Sequence, residues 1–89
     1  MKNNKNIEIA NAKRNSLYEY RIKNWLKLDE VAEELNNLCE KRGIDAKISK
    51  VHIYYWENGL RTPRDKNIVK AIADLIGIKS KYLIEEFKF

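Results

Sequence analysis

The stretch Lys50-Val51-His52-Ile53-Tyr54-Tyr55-Trp56-Glu57-Asn58-Gly59-Leu60-Arg61-Thr62-Pro63-Arg64 decides how this chain is read. It is a short helical run closed by Asn-Gly, then a basic turn, then a Thr-Pro pair that opens another helix. Ile53 and Trp56, three apart, share the inner face of the run. Ser49, just ahead of it, can cap its first turn, and Ile48 and Leu60 are placed to close over its two ends. A helix that passes through Asn58-Gly59 into Arg61 and Arg64 can lie against an anionic polymer. Its outward side chains then reach into the polymer while the turn grips the backbone.

Charge placement supports that reading. The 89 residues carry a net charge of +5. Residues 41–70 hold eight basic side chains (Lys41, Arg42, Lys47, Lys50, Arg61, Arg64, Lys66, Lys70) against three acidic ones (Asp45, Glu57, Asp65), and the other ten basic and ten acidic residues cancel. The whole excess therefore surrounds the decisive stretch. Concentrated positive charge on a helix points to phosphate as a partner; a solvated basic face with no partner is the competing explanation.

Length and composition exclude much else. Eighty-nine residues make one domain, with no room for a catalytic pocket beside a recognition domain. An apolar fraction of 44% is that of a globular chain. A single cysteine, Cys39, rules out an internal disulfide framework and a cysteine zinc cluster, and a single histidine, His52, rules out a histidine-rich metal site. No metal or cofactor is expected. Glu57 and Asp65 as an acid–base pair lack a nucleophile, a metal or a phosphate loop, so the chain is not expected to be an enzyme. No apolar run approaches the ~20 residues that span a bilayer. The Met1-Lys2-Asn3-Asn4 start has no apolar stretch of a secretory signal, so the expected compartment is a reducing cytoplasm.

Residues 1–10, rich in Asn and Lys with Ile7 and Ile9 the bulky apolar residues after Met1, read as a flexible tail. Residues 11–89 read as the domain. A first helix is expected from Asn11 to Asn24, with Leu17, Tyr18, Ile22 and Trp25 on one face. A second starts near Leu28, with acidic residues in its first turns and Lys41 and Arg42 in its last, as the helix dipole favours. Val31, Leu35 and Leu38 form its buried stripe, Ala32 and Cys39 flank it, and Gly43 stops it. The third helix is the decisive stretch. A fourth is expected to open on Thr62 as cap with Pro63 in its first turn, to bury Ile68, Ile72, Leu75 and Ile76, and to stop at Gly77. A fifth runs from Lys79 to Glu86. No segment alternates strongly enough to argue for a strand, so the expected class is all-α with five helices.

This order of elements resembles the helix-turn-helix domain of phage repressors and Cro proteins, the XRE-like group. The matching residues are Tyr20-Arg21, then Leu26-x-Leu28-x-Glu30-Val31-Ala32-x-x-Leu35, then Ile48-Ser49-Lys50 with Ile53 and Trp56-Glu57-Asn58-Gly59, then Arg61-Thr62-Pro63, Ile72-Ala73-x-Leu75-x-Gly77-Ile78 and Tyr82-Leu83. The resemblance covers roughly residues 12–84 and implies a phage-repressor-like domain whose third helix enters the major groove. Carried over residue by residue, it places Ser49, Lys50, Val51 and Tyr55 where base edges are read. Lys50 is suited to guanine and Val51 to a thymine methyl. His52 and Tyr54 fall at the edges of that face. Asn58, Arg61, Thr62 and Arg64 hold phosphates, with Lys47 from the preceding connection. It also implies a partly buried ion pair between Arg21 and Glu57, orienting the third helix against the first.

Three departures mark this chain. Leu28 replaces a polar residue and is expected to pack. Trp25 stands where a small residue is usual, so the first turn must be reshaped. Shorter members place about two residues between the positions of Leu35 and Ser49, where this chain has thirteen. Residues 36–42 are read as about two further turns of the second helix, with Gly43–Ile48 returning to the third. The resemblance implies a sequence-specific regulator of phage or mobile-element type, a repressor above all, binding double-stranded DNA as a homodimer on a two-fold operator. Tyr82–Phe89, with Leu83, Ile84, Phe87 and Phe89, is the first choice of dimer surface. The alternative is an antitoxin-like protein-interaction module that also binds DNA and whose tail wraps a protein partner. Cys39 reads as buried, Trp56 as core, and His52 as a plain polar contact.

Overall fold

Turn chemistry sets the helix lengths in the computed structural model, which describes residues 15–88. The helices are α1 (Ser16–Lys23), α2 (Leu28–Lys41), α3 (Lys50–Glu57), α4 (Lys66–Ile76) and α5 (Ser80–Glu86), with no strand among the described residues. The tail expected at residues 1–10, the start of the first helix expected at Asn11, and Phe89 lie outside the described residues. Asn15 caps α1 by accepting the Tyr18 amide at 3.2 Å. Glu30 reaches back to the Lys27 amide at 2.7 Å and satisfies a free donor ahead of α2.

The expected start of the fourth helix is corrected. Thr62 does not cap it; Asp65 does, accepting the Ile68 amide at 3.1 Å, and α4 begins at Lys66. Pro63 is instead fully buried. Burying the ring keeps the connection extended past the position where a first-turn proline would begin the helix. Other expectations of burial shift by a residue. Ile22 and Trp25 are exposed, as is Leu60 at 61%, so none of the three closes the core. Leu38 is only half-buried while Cys39 is buried, and on α4 the core is filled by Ile68, Val69, Ala71, Ile72 and Ala73, with Leu75 and Ile76 at its margin.

The remaining core comes from Leu17, Val31, Ala32, Leu35, Ile48, Ile53, Trp56, Leu83 and Phe87. α2 packs on both α3 and α4, α1 on the same two helices, and α4 on α5. Each of these elements thus buries one apolar stripe against two neighbours or more, apart from α5, which is tied in through Leu83 and Phe87.

The long segment between Leu35 and Ser49 behaves as expected and adds a clamp. α2 continues to Lys41, about 21 Å of helix for its 14 residues. Gly43, at φ 70°, then reverses the chain: the Ile44 amide bonds the Cys39 carbonyl at 2.8 Å and the Gly43 amide bonds that of Glu40 at 3.1 Å. This is a Schellman closure, which demands a left-handed residue at that position. On the way back, Asn36 pairs its side-chain amide with both backbone groups of Ile48, Nδ2 donating to the carbonyl and Oδ1 accepting from the amide, each at 2.8 Å. One side chain on α2 thereby fixes the point from which α3 starts.

Asn36→Ala leaves both Ile48 backbone groups without these partners. It is expected to lower unfolding free energy by about 1–3 kcal/mol in urea titrations; an unchanged midpoint would show that the clamp contributes nothing. Asp65 yields a pH test. The Ile68 amide first, and Arg64 beside it at 3.2 Å, hold its carboxyl below the ordinary aspartate value. With the folded-state value the lower, the cap contributes fully above the unfolded-state pKa of about 3.9 and fades as pH falls through the folded one. Melting temperatures of wild type and Asp65→Ala should differ most above about pH 5 and draw together in more acidic buffer.

Candidate nucleic-acid interface

α3 is held from behind by one ion pair. Arg21 on α1 donates from Nε to Glu57 Oε2 at 2.7 Å and from Nη2 to Oε1 at 3.1 Å, a two-pronged contact that matches the planes of guanidinium and carboxylate. Its third nitrogen, Nη1, donates to the Leu26 carbonyl at 3.2 Å. The guanidinium also lies 5.5 Å from the Tyr18 ring centre. Glu57 retains 1% of its surface exposure, so its charge depends on this partner. The hydrogen bonds that Arg21 donates to Glu57 raise its pKa, keeping the guanidinium charged. The pair anticipated from the resemblance is thus present, and it joins three elements: α1, the α1–α2 turn and α3.

The N-terminal end of α3 is closed by its own side chains. Ser49 Oγ accepts the His52 amide at 3.4 Å, and the Ser49 amide donates to His52 Nδ1 at 3.0 Å. This is a reciprocal capping box with histidine in the place usually held by glutamate. The box gives His52 a defined structural role. Its ring centre lies 5.7 Å from that of Trp56.

With the inner face of α3 occupied by Ile53, Trp56 and Glu57, the outer face carries Lys50, Val51, His52 and Tyr54, all exposed. Lys47 and Ser49 precede them and Arg61, Thr62 and Arg64 follow, also exposed. Ser49 and His52 are engaged with each other in the first turn, and three more expected site residues are engaged differently from their anticipated roles. Tyr55, expected to read bases, is half-buried against the core with the Arg61 guanidinium 5.6 Å from its ring centre, and Tyr54 projects in its place. Asn58, expected on phosphate, donates from Nδ2 to the Tyr54 carbonyl at 2.8 Å and closes the end of α3. Arg64 bonds the Asp45 carbonyl and pairs with Asp65 at 3.2 Å, lashing the α2–α3 connection to the start of α4. Arg42 is paired with Asp74 across the same region. Leu28 packs at the edge of the core, as anticipated.

Contacts across the fold account for what local reading did not reveal. The Ser-x-x-His spacing at Ser49 and His52 could have been read as a capping box; the Asn36 clamp and the Arg61–Tyr55 stack join residues with no sequence pattern between them. The expected dimer surface on the last residues is also altered, because Leu83 and Phe87 are buried in the chain's own core and Ile84 packs beside them. Their apolar character is used in folding, whereas Tyr82 remains exposed. Among the described residues no group of three or more His, Cys, Asp or Glu side chains is placed to hold a metal ion. The buried Cys39 thiol has its pKa raised by desolvation. No protein-family model, curated protein or solved structure matches the chain.

Arg21→Ala strands the Glu57 carboxylate in the interior and should lower stability by roughly 3–5 kcal/mol. Arg21→Lys should recover only part of this, since an ammonium cannot form the two-pronged contact. Chemical denaturation of both variants checks the order, and an Arg21→Ala protein as stable as wild type would exclude the role assigned to the pair.

Proposed function

We propose that the chain is a sequence-specific double-stranded DNA-binding regulator, a repressor of phage or mobile-element type. In this reading it is a phage-repressor-like helix-turn-helix domain in which α2 and α3 are the paired helices and α3 lies in the major groove. The observation that carries it is the combination on α3: a buried charged anchor on the inside, and an outer face of Lys50, Val51 and Tyr54 left free for a ligand. A rigid helix with a basic and apolar outer face in the most positive part of the chain suits base edges and the phosphates around them.

Within that reading, Lys50 and Val51 read bases, and Tyr54 takes the place first given to Tyr55. Arg61, resting on the Tyr55 ring, is a guanidinium already oriented for phosphate. Lys47 and Thr62 add backbone contacts, and the engaged Asn58 and Arg64 act mainly by shaping the turn. A homodimer presents two such helices to half-sites about 34 Å apart on a two-fold operator. A cytoplasmic location accords with this role, and no described helix is long and apolar enough to cross a membrane. No catalytic step is proposed. The antitoxin-like alternative, with a protein partner wrapped by the last residues, has less support because Leu83 and Phe87 are already buried.

Binding to duplexes drawn from the DNA around the gene, titrated in salt, tests the proposal. Affinity should fall steeply and linearly on logarithmic axes as phosphate contacts release counterions, with one site retained above the rest. Lys50→Ala should weaken that site by about 1–3 kcal/mol and relax its preference, whereas Arg61→Ala should weaken all duplexes alike and reduce the salt slope by about one. Identical behaviour of the two variants would remove the distinction between base-reading and phosphate-gripping residues. Absence of any duplex binding by the wild-type protein would remove the proposal itself.

A further inference from the structure

The thirteen residues between Leu35 and Ser49 begin with Asn36 and end with Ile48, and these two are bonded to each other. The extension of α2 and its return loop are therefore an excursion that closes on itself before α3 starts. Within the return, Ile44, Ala46 and Ile48 pack against the core, while Asp45, Lys47 and Ser49 between them are exposed. That alternation is how an extended chain lies with one face on a core. Apolar burial fixes which face points inward, but it has no direction and resists sliding along the chain only weakly. Asn36 supplies the direction. Its donor and its acceptor meet the carbonyl and the amide of a single residue, each at 2.8 Å and partly shielded from water, so a shift by one residue would break both bonds.

The two ends of α3 are held by different means. At the C-terminal end the Arg21–Glu57 pair fixes the rotation of the helix, and the chain leaves through Gly59 towards Arg61, whose guanidinium rests on Tyr55. At the N-terminal end the Ser49–His52 box closes the first turn on itself and ties it to no other helix. Arg64 holds the connection through the Asp45 carbonyl, further from α3 than Ile48 is. Ile48 stands one residue before the Ser49 cap and two before Lys50. The bonds from Asn36 are thus the directional link between α2 and the turn that carries Lys50 and Val51.

We propose that Asn36 is a positioning residue that sets base preference, an inference resting on the DNA-binding reading of α3. Held at Ile48, the first turn of α3 presents Lys50 and Val51 to base edges at one register. Asn36 touches no DNA; both ends of its amide are engaged on Ile48, and it acts through the residues that follow. Hydrogen bonds to base edges weaken steeply when donor and acceptor are misplaced. A cation on phosphate tolerates movement and carries no sequence information. Loosening this end of α3 therefore removes discrimination before it removes affinity. The contact of Arg61 persists, because that end of the helix is held by Arg21 and Glu57.

Two duplexes test the role, the preferred site from the DNA around the gene and an unrelated sequence, each titrated well below the melting temperature of every variant. Asn36→Ala should lower the ratio of preferred-site to unrelated affinity about tenfold, the discrimination that one base contact supplies. Affinity for the unrelated duplex and the salt slope should stay unchanged. In a Lys50→Ala background the same substitution should move the ratio much less, since residues acting through one contact are not additive. Ile72→Val, a core change on α4 that lowers stability, is the control and should leave the ratio as it is. Asn36→Asp keeps the acceptor for the Ile48 amide and loses the donor to its carbonyl. It should shift the ratio in the same direction, and it carries the test if Asn36→Ala does not fold. An unchanged ratio in a folded Asn36 variant, an equal fall for both duplexes, or the same fall in Ile72→Val refutes the positioning role and leaves the DNA-binding reading in place. A wild-type protein that binds no duplex, or all duplexes alike, overturns that reading and this inference with it.

Discussion

The geometry of the candidate interface depends on a buried charge that cannot be left alone. Glu57 sits on the inner face of α3 among core side chains, and only the Arg21 guanidinium, two hydrogen bonds wide, makes an ionised carboxylate tolerable there. An apolar pair of similar volume could hold α3 to α1 as firmly, but it would allow rotation and sliding. A two-pronged ion pair permits one orientation. It therefore sets which residues of α3 face outward, and it does so from the opposite side of the helix, without occupying the outer surface. The same guanidinium bonds the Leu26 carbonyl, so the α1–α2 turn and α3 are tied to one side chain.

A second constraint acts at the other end of α3. The long α2 and its return loop separate the two helices by more chain than their packing requires, and a free loop of that length would leave the start of α3 poorly defined. Three contacts remove the freedom: Asn36 pairs with the Ile48 backbone, the Ser49–His52 box closes the first turn, and Arg64 bonds the Asp45 carbonyl. Each uses polar groups that the loop would otherwise expose or leave unsatisfied, and none of the buried side-chain polar atoms among the described residues lacks a partner. α3 is thereby fixed at both ends, by an ion pair near its C-terminus and by hydrogen bonds ahead of its N-terminus. Under the proposed function, that is the rigidity a helix needs to discriminate one base pair from another.

The α1–α2 turn shows the reverse relation between stability and exposure. Glycines occupy the left-handed positions after α2, α3 and α4, but tryptophan occupies the one after α1. Helix closure tolerates this because the hydrogen bonds of the motif involve backbone alone. The side chain is directed outward, 92% exposed, and takes no part in the core.

Local chemistry made much of this protein legible from its residues. Apolar spacing located the five helices of the described chain, and Gly43, Gly59 and Gly77 marked where α2, α3 and α4 end, because a left-handed turn is a property of a few residues. Ser49 was legible as a cap for the same reason. The family resemblance paired Arg21 with Glu57, which lie far apart in the chain. Tertiary structure alone decided which of two similar neighbours is used. Pro63 looked like a helix start, but its ring is buried and the cap is Asp65; Tyr54 and Tyr55 differ in role because Tyr55 packs against the core, with Arg61 over its ring, while Tyr54 stays exposed. Leu83 and Phe87 looked like surplus apolar surface until α5 folded onto α4. Residue type and spacing determine what a segment can form by itself. Whether a side chain at the boundary is buried, covered or left in water depends on which other segment arrives beside it, and that is a property of the packed chain.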